Sequence, residues 1–313
     1  MWSEERDGYK FDAIVYPYNR PKALVVDEQP NDDMLQYIRS NQIEQLSVDL
    51  AVVDCSFLRE LPQVKYLSIN LNTFRRVTSH LQIEYDLTPV YELKLLVMLR
   101  IGDNLLCEKL KSVFLDVSRF PALEYLTGPA YYYRNIEQTT GLKSLGLGSW
   151  HNVTIPQLNE ADRLDTLSLS FCSAESLAGI ENSKQMRVLD LSRCRKLRDI
   201  SQLRAVADTI TAMRIEGCNQ ISDWSVLGEL KNLELLEITG SLVLPDLSFI
   251  KDGHPNTFIL GAKVANNDLM PCLQTNYAYC MRSYKTYNLT DKQLPKGKYS
   301  HGNALVEEWR RLE

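Results

Sequence analysis

The side chains able to do chemistry are few, and their spacing argues against it. Four histidines are present, His80, His151, His254 and His301, and none has a partner at a ligand spacing such as H-E-x-x-H, so no metal site is expected. The seven cysteines include no C-x-x-C pair. A Cys–His nucleophile pair meets only in space and leaves no mark in a sequence. Cys172, Cys194 and Cys218, however, fall where the pattern described below turns a side chain inward, and a buried apolar thiol is inert. Gly141-x4-Gly146-x-Gly148-Ser149 has the look of a phosphate loop. It lacks the Gly-Lys-Ser/Thr ending and lies on a strand rather than before a helix, so small residues at exposed positions are the plainer reading. A pair of catalytic carboxylates would be invisible among scattered Asp and Glu. The chain reads as non-catalytic, with no cofactor; the alternative is an enzyme with a small site formed by its terminal segments.

The residues better suited to a function are aromatic and basic, and a repeat positions them. Leu142-Lys-Ser-Leu145-Gly-Leu147 is followed by lines beginning at Leu164, Met186, Ile210 and Leu233, each reading L-x-x-L-x-L with Leu, Ile or Met in the L places. The starts are 22, 22, 24 and 23 residues apart. L-x-L is period-2 alternation, so two apolar side chains share one face of a short strand. One coil cannot bury that face alone, whereas stacked neighbours can. Three residues after the last L stand Cys172, Cys194 and Cys218, and upstream Asn72 and Asn104. Earlier lines start at Ile43, Val64, Leu96 and Leu123, more raggedly. Steps of 32 and 27 residues separate the last three, and Leu123-x-x-Leu126 has Gly128 in its third place.

These lines resemble the leucine-rich repeat superfamily over residues 41–260, in particular its irregular 22-residue, internalin-like class. The resemblance implies an α/β fold: a curved solenoid with a parallel β-sheet on its concave face, and a role in binding proteins. Residues 1–40 are expected to form an N-terminal cap. It would hold strands at Ala13–Tyr16 and Ala23–Val26 and a helix over Met34–Ser40 capped from Asn31-Asp-Asp. Pro255-Asn-Thr-Phe258-Ile-Leu260 reads as the final strand. Residues 261–313 are expected to form a C-terminal cap, in which the alternating Tyr277, Tyr279, Tyr284 and Tyr287 suggest strand faces and Ala304–Leu312 reads as a short helix.

On this register the concave surface carries Tyr66, Val97, Met98, Arg100, Tyr125, Val188, Ala212, Arg214 and Leu235. The rim after the strands carries Tyr131, Tyr132, Tyr133, Trp150, His151, Phe171 and Arg193. Aromatic and Arg side chains dominate binding energy at protein interfaces, so Tyr66, Arg100, Tyr125, Tyr131, Tyr132, Tyr133, Trp150, His151, Phe171, Arg193 and Arg214 are the expected partner-binding residues. The competing reading has Tyr131–Tyr133 and Trp150 packed on each other to fill the irregular coil near Gly128.

The 313 residues are 44% hydrophobic and 24% charged, with a net charge of -5. That balance argues against a nucleic-acid partner. Met1–Lys10 has no apolar run of a signal peptide behind it, and no stretch approaches 18 apolar residues, so no membrane span is expected. A reduced, cytoplasmic chain is the expectation. The partner is expected to be another protein, and a bacterial immunity protein that neutralises a toxin, a scaffold, or a secreted effector acting on host proteins all fit.

Overall fold

The computed structural model describes residues 3–13, 22–49, 54–70, 86–102, 114–159, 162–282 and 284–296. The chain divides into two compact units. The first takes the described residues up to Leu145 with Leu158 and Asn159, and the second takes the rest.

The first unit opens with β1 (Ser3–Arg6), β2 (Tyr9–Asp12) and β3 (Ala23–Val26). The β1–β2 and β2–β3 pairs are antiparallel. Of the strand expected at residues 13–16, all but Ala13 lies outside the described residues, and the strand that does form ends at Asp12. Helix α1 (Asp32–Ser40) starts where the sequence says: the Asn31 side chain accepts the Met34 N–H at 2.9 Å, Asp32 and Asp33 sit at the positive end, and Leu35 and Ile38 are buried. β3 then pairs in parallel with β4 (Gln45–Asp49), β4 with β5 (Tyr66–Asn70), β5 with β6 (Met98–Gly102) and β6 with β8 (Tyr125–Pro129). A two-stranded parallel ladder joins β7 (Leu115–Asp116) and β9 (Tyr133–Arg134). β10 spans Ser144–Gly148, which puts the glycine-rich stretch on a strand. Asn72 and Asn104 lie outside the described residues.

In the second unit β11 (Thr166–Ser170), β12 (Val188–Ser192), β13 (Ala212–Glu216), β14 (Leu235–Leu244), β15 (Thr257–Val264) and β16 (Tyr277–Cys280) pair in parallel, each with the next. The register aligns Leu167, Leu189, Met213, Leu236 and Phe258 in one row, and Leu169, Leu191, Ile215, Ile238 and Leu260 in another. Both rows are buried. Truncating one such side chain to Ala costs about 2–5 kcal/mol, because the stacked coils cannot close the cavity. The sheet runs one coil further than Leu260: alternation at Tyr277-Ala-Tyr-Cys280 supplies β16, which turns Ala278 and Cys280 to the core side.

Two smaller devices finish each coil. Cys194 Sγ points at the Leu169 carbonyl at 3.5 Å and Cys218 Sγ at the Leu191 carbonyl at 3.6 Å, so these thiols bond back to the preceding coil. Between the strands, short 3-10 turns such as Ser56–Glu60, Ser201–Val206 and Ser225–Glu229 each follow an aspartate two residues before their first residue. The carboxylates of Asp54, Asp86, Asp116, Asp199, Asp223, Asp246 and Asp268 each accept the N–H two residues on, at 2.8–3.2 Å. These Asx turns satisfy donors that a tight turn leaves unpaired.

Candidate protein-binding surface

Two residues after the last L of each line the backbone turns into the left-handed region. Ser149, Phe171, Arg193, Gly217 and Gly240 have φ of 55°, 53°, 55°, 65° and 113°. The turn swings the next residue toward the core and lets the corner amide reach the following coil. Ser149 N–H donates to the Ser170 carbonyl at 2.8 Å, Phe171 to Ser192 at 2.9 Å, Arg193 to Glu216 at 2.6 Å and Gly217 to Thr239 at 2.9 Å. Glycine adopts this conformation freely; any residue with a Cβ is strained there by roughly 1–2 kcal/mol. Coils starting at Ile210 and Leu233 use glycine. Those starting at Leu164 and Met186 instead hold Phe171 and Arg193, both exposed. The Arg193 guanidinium lies 5.1 Å from the centroid of the Phe171 ring, and its Nε is 3.7 Å from Glu216 Oε1. Trp150, half-buried, follows the Ser149 corner and donates its indole N–H to the Thr154 carbonyl at 2.7 Å. His151 beside it is exposed. One edge of the second unit thus presents Trp150, His151, Phe171 and Arg193 from consecutive coils.

The other expected residues fall elsewhere. Tyr132 and Tyr133 are buried, at 0% and 3% exposure, and belong to the core of the first unit. The physical reason is Gly128. With φ of 144° it carries no side chain into the core, and a Cβ there would stand 2.4 Å from the Ile101 carbonyl and 2.7 Å from the Tyr133 hydroxyl. The β6–β8 register closes at Arg100↔Thr127. Beyond it the Tyr133 hydroxyl bridges the coils, accepting the Ile101 N–H at 3.2 Å and donating to the Thr127 carbonyl at 2.6 Å. Burial pushes its phenol pKa well up. Tyr131 is half-buried with its ring 4.6 Å from that of Tyr132. Tyr66 and Met98 are buried in a cluster against which Tyr125 and Val97 pack. Arg100 is half-buried and committed within its own unit: it donates to Ser68 Oγ at 2.9 Å and Asn70 Oδ1 at 2.6 Å, and burial lowers its pKa.

Arg214 is likewise engaged, in a bidentate pair with the buried Asp190 at 2.8 Å on both arms. Burial pushes the Asp190 carboxyl up against the pull of Arg214. Ser168 Oγ adds a bond to Asp190 at 3.2 Å. The half-buried Glu237 stands next along this row, and burial raises its pKa. Val188, Ala212 and Leu235, expected on an open concave surface, are instead buried, at 3% exposure or less. The left-handed corner was missed in the sequence, where its signal is a fixed offset after each line that glycine marks at Gly217 and Gly240. The burial of the outward row carried no such mark.

Among the described residues no group of three His, Cys, Asp or Glu side chains could hold a metal ion, and no helix is long and apolar enough to cross a membrane.

No family model matches the chain, and no curated protein matches it. Solved structures do. A crystal structure of an internalin from Listeria monocytogenes aligns with a TM-score of 0.52 at 15% identity, over 83% of this chain and 79% of that one. A leucine-rich repeat protein from Leptospira interrogans aligns at 0.41 and 12% identity, over 81% and 75%. At such identities the first likeness establishes the fold and nothing further: a leucine-rich repeat solenoid.

Proposed function

We propose that this protein is a non-catalytic binding module that holds another protein through the edge of its second unit, with Phe171 and Arg193 at the centre and Trp150 and His151 beside them. The observation that carries the reading is the pair of strained corners. Glycine would relieve each at no cost in packing order, as Gly217 and Gly240 do in later coils. The chain keeps instead an exposed aromatic and an exposed guanidinium, stacked on one another. Strain retained where it brings no stability points to a use for the side chain, and these are the residue types that anchor interfaces.

The test separates folding from binding. Phe171→Gly and Arg193→Gly relieve the corners, so the doubly substituted protein should keep its thermal midpoint or gain slightly. It should lose a protein that the wild type retains at stoichiometric level from extracts of the source cell. Equal capture by both would overturn the proposal. A toxin is the partner we put first for trial: co-expression should rescue growth, and rescue should vanish with the same double substitution.

A further inference from the structure

The edge that carries Phe171 and Arg193 differs in charge from the rest of the chain. Backbone bonds stack its segments: the Ser173 N–H donates to the Trp150 carbonyl at 2.7 Å, the Glu175 N–H to the Val153 carbonyl at 2.9 Å and the Arg198 N–H to the Glu175 carbonyl at 3.1 Å. Past the Arg193 corner the chain runs through Arg195 and Lys196, both exposed, to Arg198. Residues 149–155, 171–176, 193–198 and 216–221 thus hold four cations, Arg193, Arg195, Lys196 and Arg198, against two carboxylates, Glu175 and Glu216. The local balance is +2 in a chain whose net charge is -5. Asp199, next in sequence, turns to its own loop, where it accepts the Ser201 N–H at 2.9 Å and Gln202 Nε2 at 2.8 Å.

Both carboxylates are already engaged. Glu175 pairs with Arg198, and Glu216 with Arg193. Arg204 likewise faces Glu229 of the next coil. Among the described residues Arg195 and Lys196 have no such partner. Beside these cations two apolar side chains stand in water, Val153 at 65% exposure and Phe171 at 36%. Covering them is favourable only with another apolar group, which a phosphate backbone does not offer. The overall negative charge also opposes a long polyanion such as RNA, which would run beyond the patch. An acidic protein surface meets both demands, with carboxylates for the cations and apolar side chains for Val153 and Phe171.

We infer that the partner held by this edge presents an acidic surface, its carboxylates set against Arg195 and Lys196 around an apolar group seated on Phe171 and Val153. The inference rests on the binding edge proposed above and adds the chemistry of what that edge holds. A displayed library of random peptides tests it, selected on the immobilised full chain and on two variants, Phe171→Gly with Arg193→Gly and Arg195→Glu with Lys196→Glu. Both reversed positions are exposed, so the reversed protein should keep the wild-type thermal midpoint; if it melts early, Arg195→Gln with Lys196→Gln gives the same comparison with the charge removed. Peptides retained by the wild type and lost on the double glycine protein should be rich in Asp and Glu around an aromatic or aliphatic residue. One of them, synthesised, should bind the reversed protein about tenfold more weakly or worse, chiefly through slower association. Its binding to the wild type should also weaken as salt rises from about 0.05 to about 0.5 M. Edge-dependent peptides that are neutral or basic, or equal binding to wild type and reversed protein, would overturn the acidic partner and leave the binding edge standing. If no peptide is lost on the double glycine protein, the edge itself falls and this inference with it. Binding of a labelled single-stranded RNA in place of the acidic peptides would assign the cations to phosphate and overturn the inference as well.

Discussion

Tyr133→Phe isolates one hydroxyl that joins two coils. It accepts the Ile101 N–H and donates to the Thr127 carbonyl where the β6–β8 ladder has ended, inside a core that leaves the side chain 3% exposed. The substitution keeps the ring and its buried area. What it removes is the partner of a backbone donor in one coil and a backbone acceptor in the next. A buried polar group left unpaired costs about 1–3 kcal/mol, and the two share one oxygen, so a loss of about 2–4 kcal/mol is expected. Urea denaturation followed by circular dichroism measures it as a lowered midpoint at unchanged slope. Tyr284→Phe, which keeps a half-buried ring packed against Tyr287, serves as the control and should cost less than Tyr133→Phe. If Tyr133→Phe is equally silent, the hydroxyl does not stand in for the missing ladder bond, and the explanation of Gly128 fails with it.

Gly217→Ala should cost about 1 kcal/mol, because its φ of 65° strains any Cβ while the space around it is open enough to admit one; an unchanged melting midpoint would deny the strain assigned to Phe171 and Arg193. Burial pushes the thiols of Cys55 and Cys272 up to about 12, so both should resist alkylation at pH 8 in the native protein and react once it is denatured, as peptide mapping would read out. The Asx-turn hydrogen bonds hold the carboxyls of Asp54, Asp86, Asp199, Asp223 and Asp246 below their ordinary 3.8. A pKa depressed by folding stabilises above the ordinary value and is lost as pH falls through the folded one. Thermal midpoints should therefore hold down to about pH 4 and fall below it, and Asp199→Asn, which keeps the acceptor oxygen, should make that fall shallower.

Most of the strand positions were legible because a period near 22 fixes both the strand and the face each Leu takes. Even the inward cysteines Cys172, Cys194 and Cys218 followed, and the thiols of Cys194 and Cys218 bond back to the preceding coil. The N-cap at Asn31 was legible for a local reason: an acceptor three residues ahead of a free N–H needs no tertiary information. Three things were not fully legible, and each depends on contacts far apart in sequence. Gly128 in the third place raises the reading that the tyrosines fill this coil, but that Tyr132 and Tyr133 are the ones buried, with the Tyr133 hydroxyl bridging to Ile101, shows only in contacts with the neighbouring coil. β16 lacks a leucine phrase: its alternating tyrosines mark a strand at Tyr277–Cys280, but its place as one more coil of the sheet shows only in its pairing with β15. The outward row Val188–Ala212–Leu235 has the residue types of a solvated sheet face with small and branched side chains, and its burial is a property of what lies over it.

The proposed binding edge makes a spatial claim, so a footprint is its sharpest trial. Amide hydrogen exchange of the protein, alone and saturated with its captured partner, should slow at residues 149–151, 171–173 and 193–195. Slowing confined to the aspartate-led turns, with those three corners unchanged, would contradict the account.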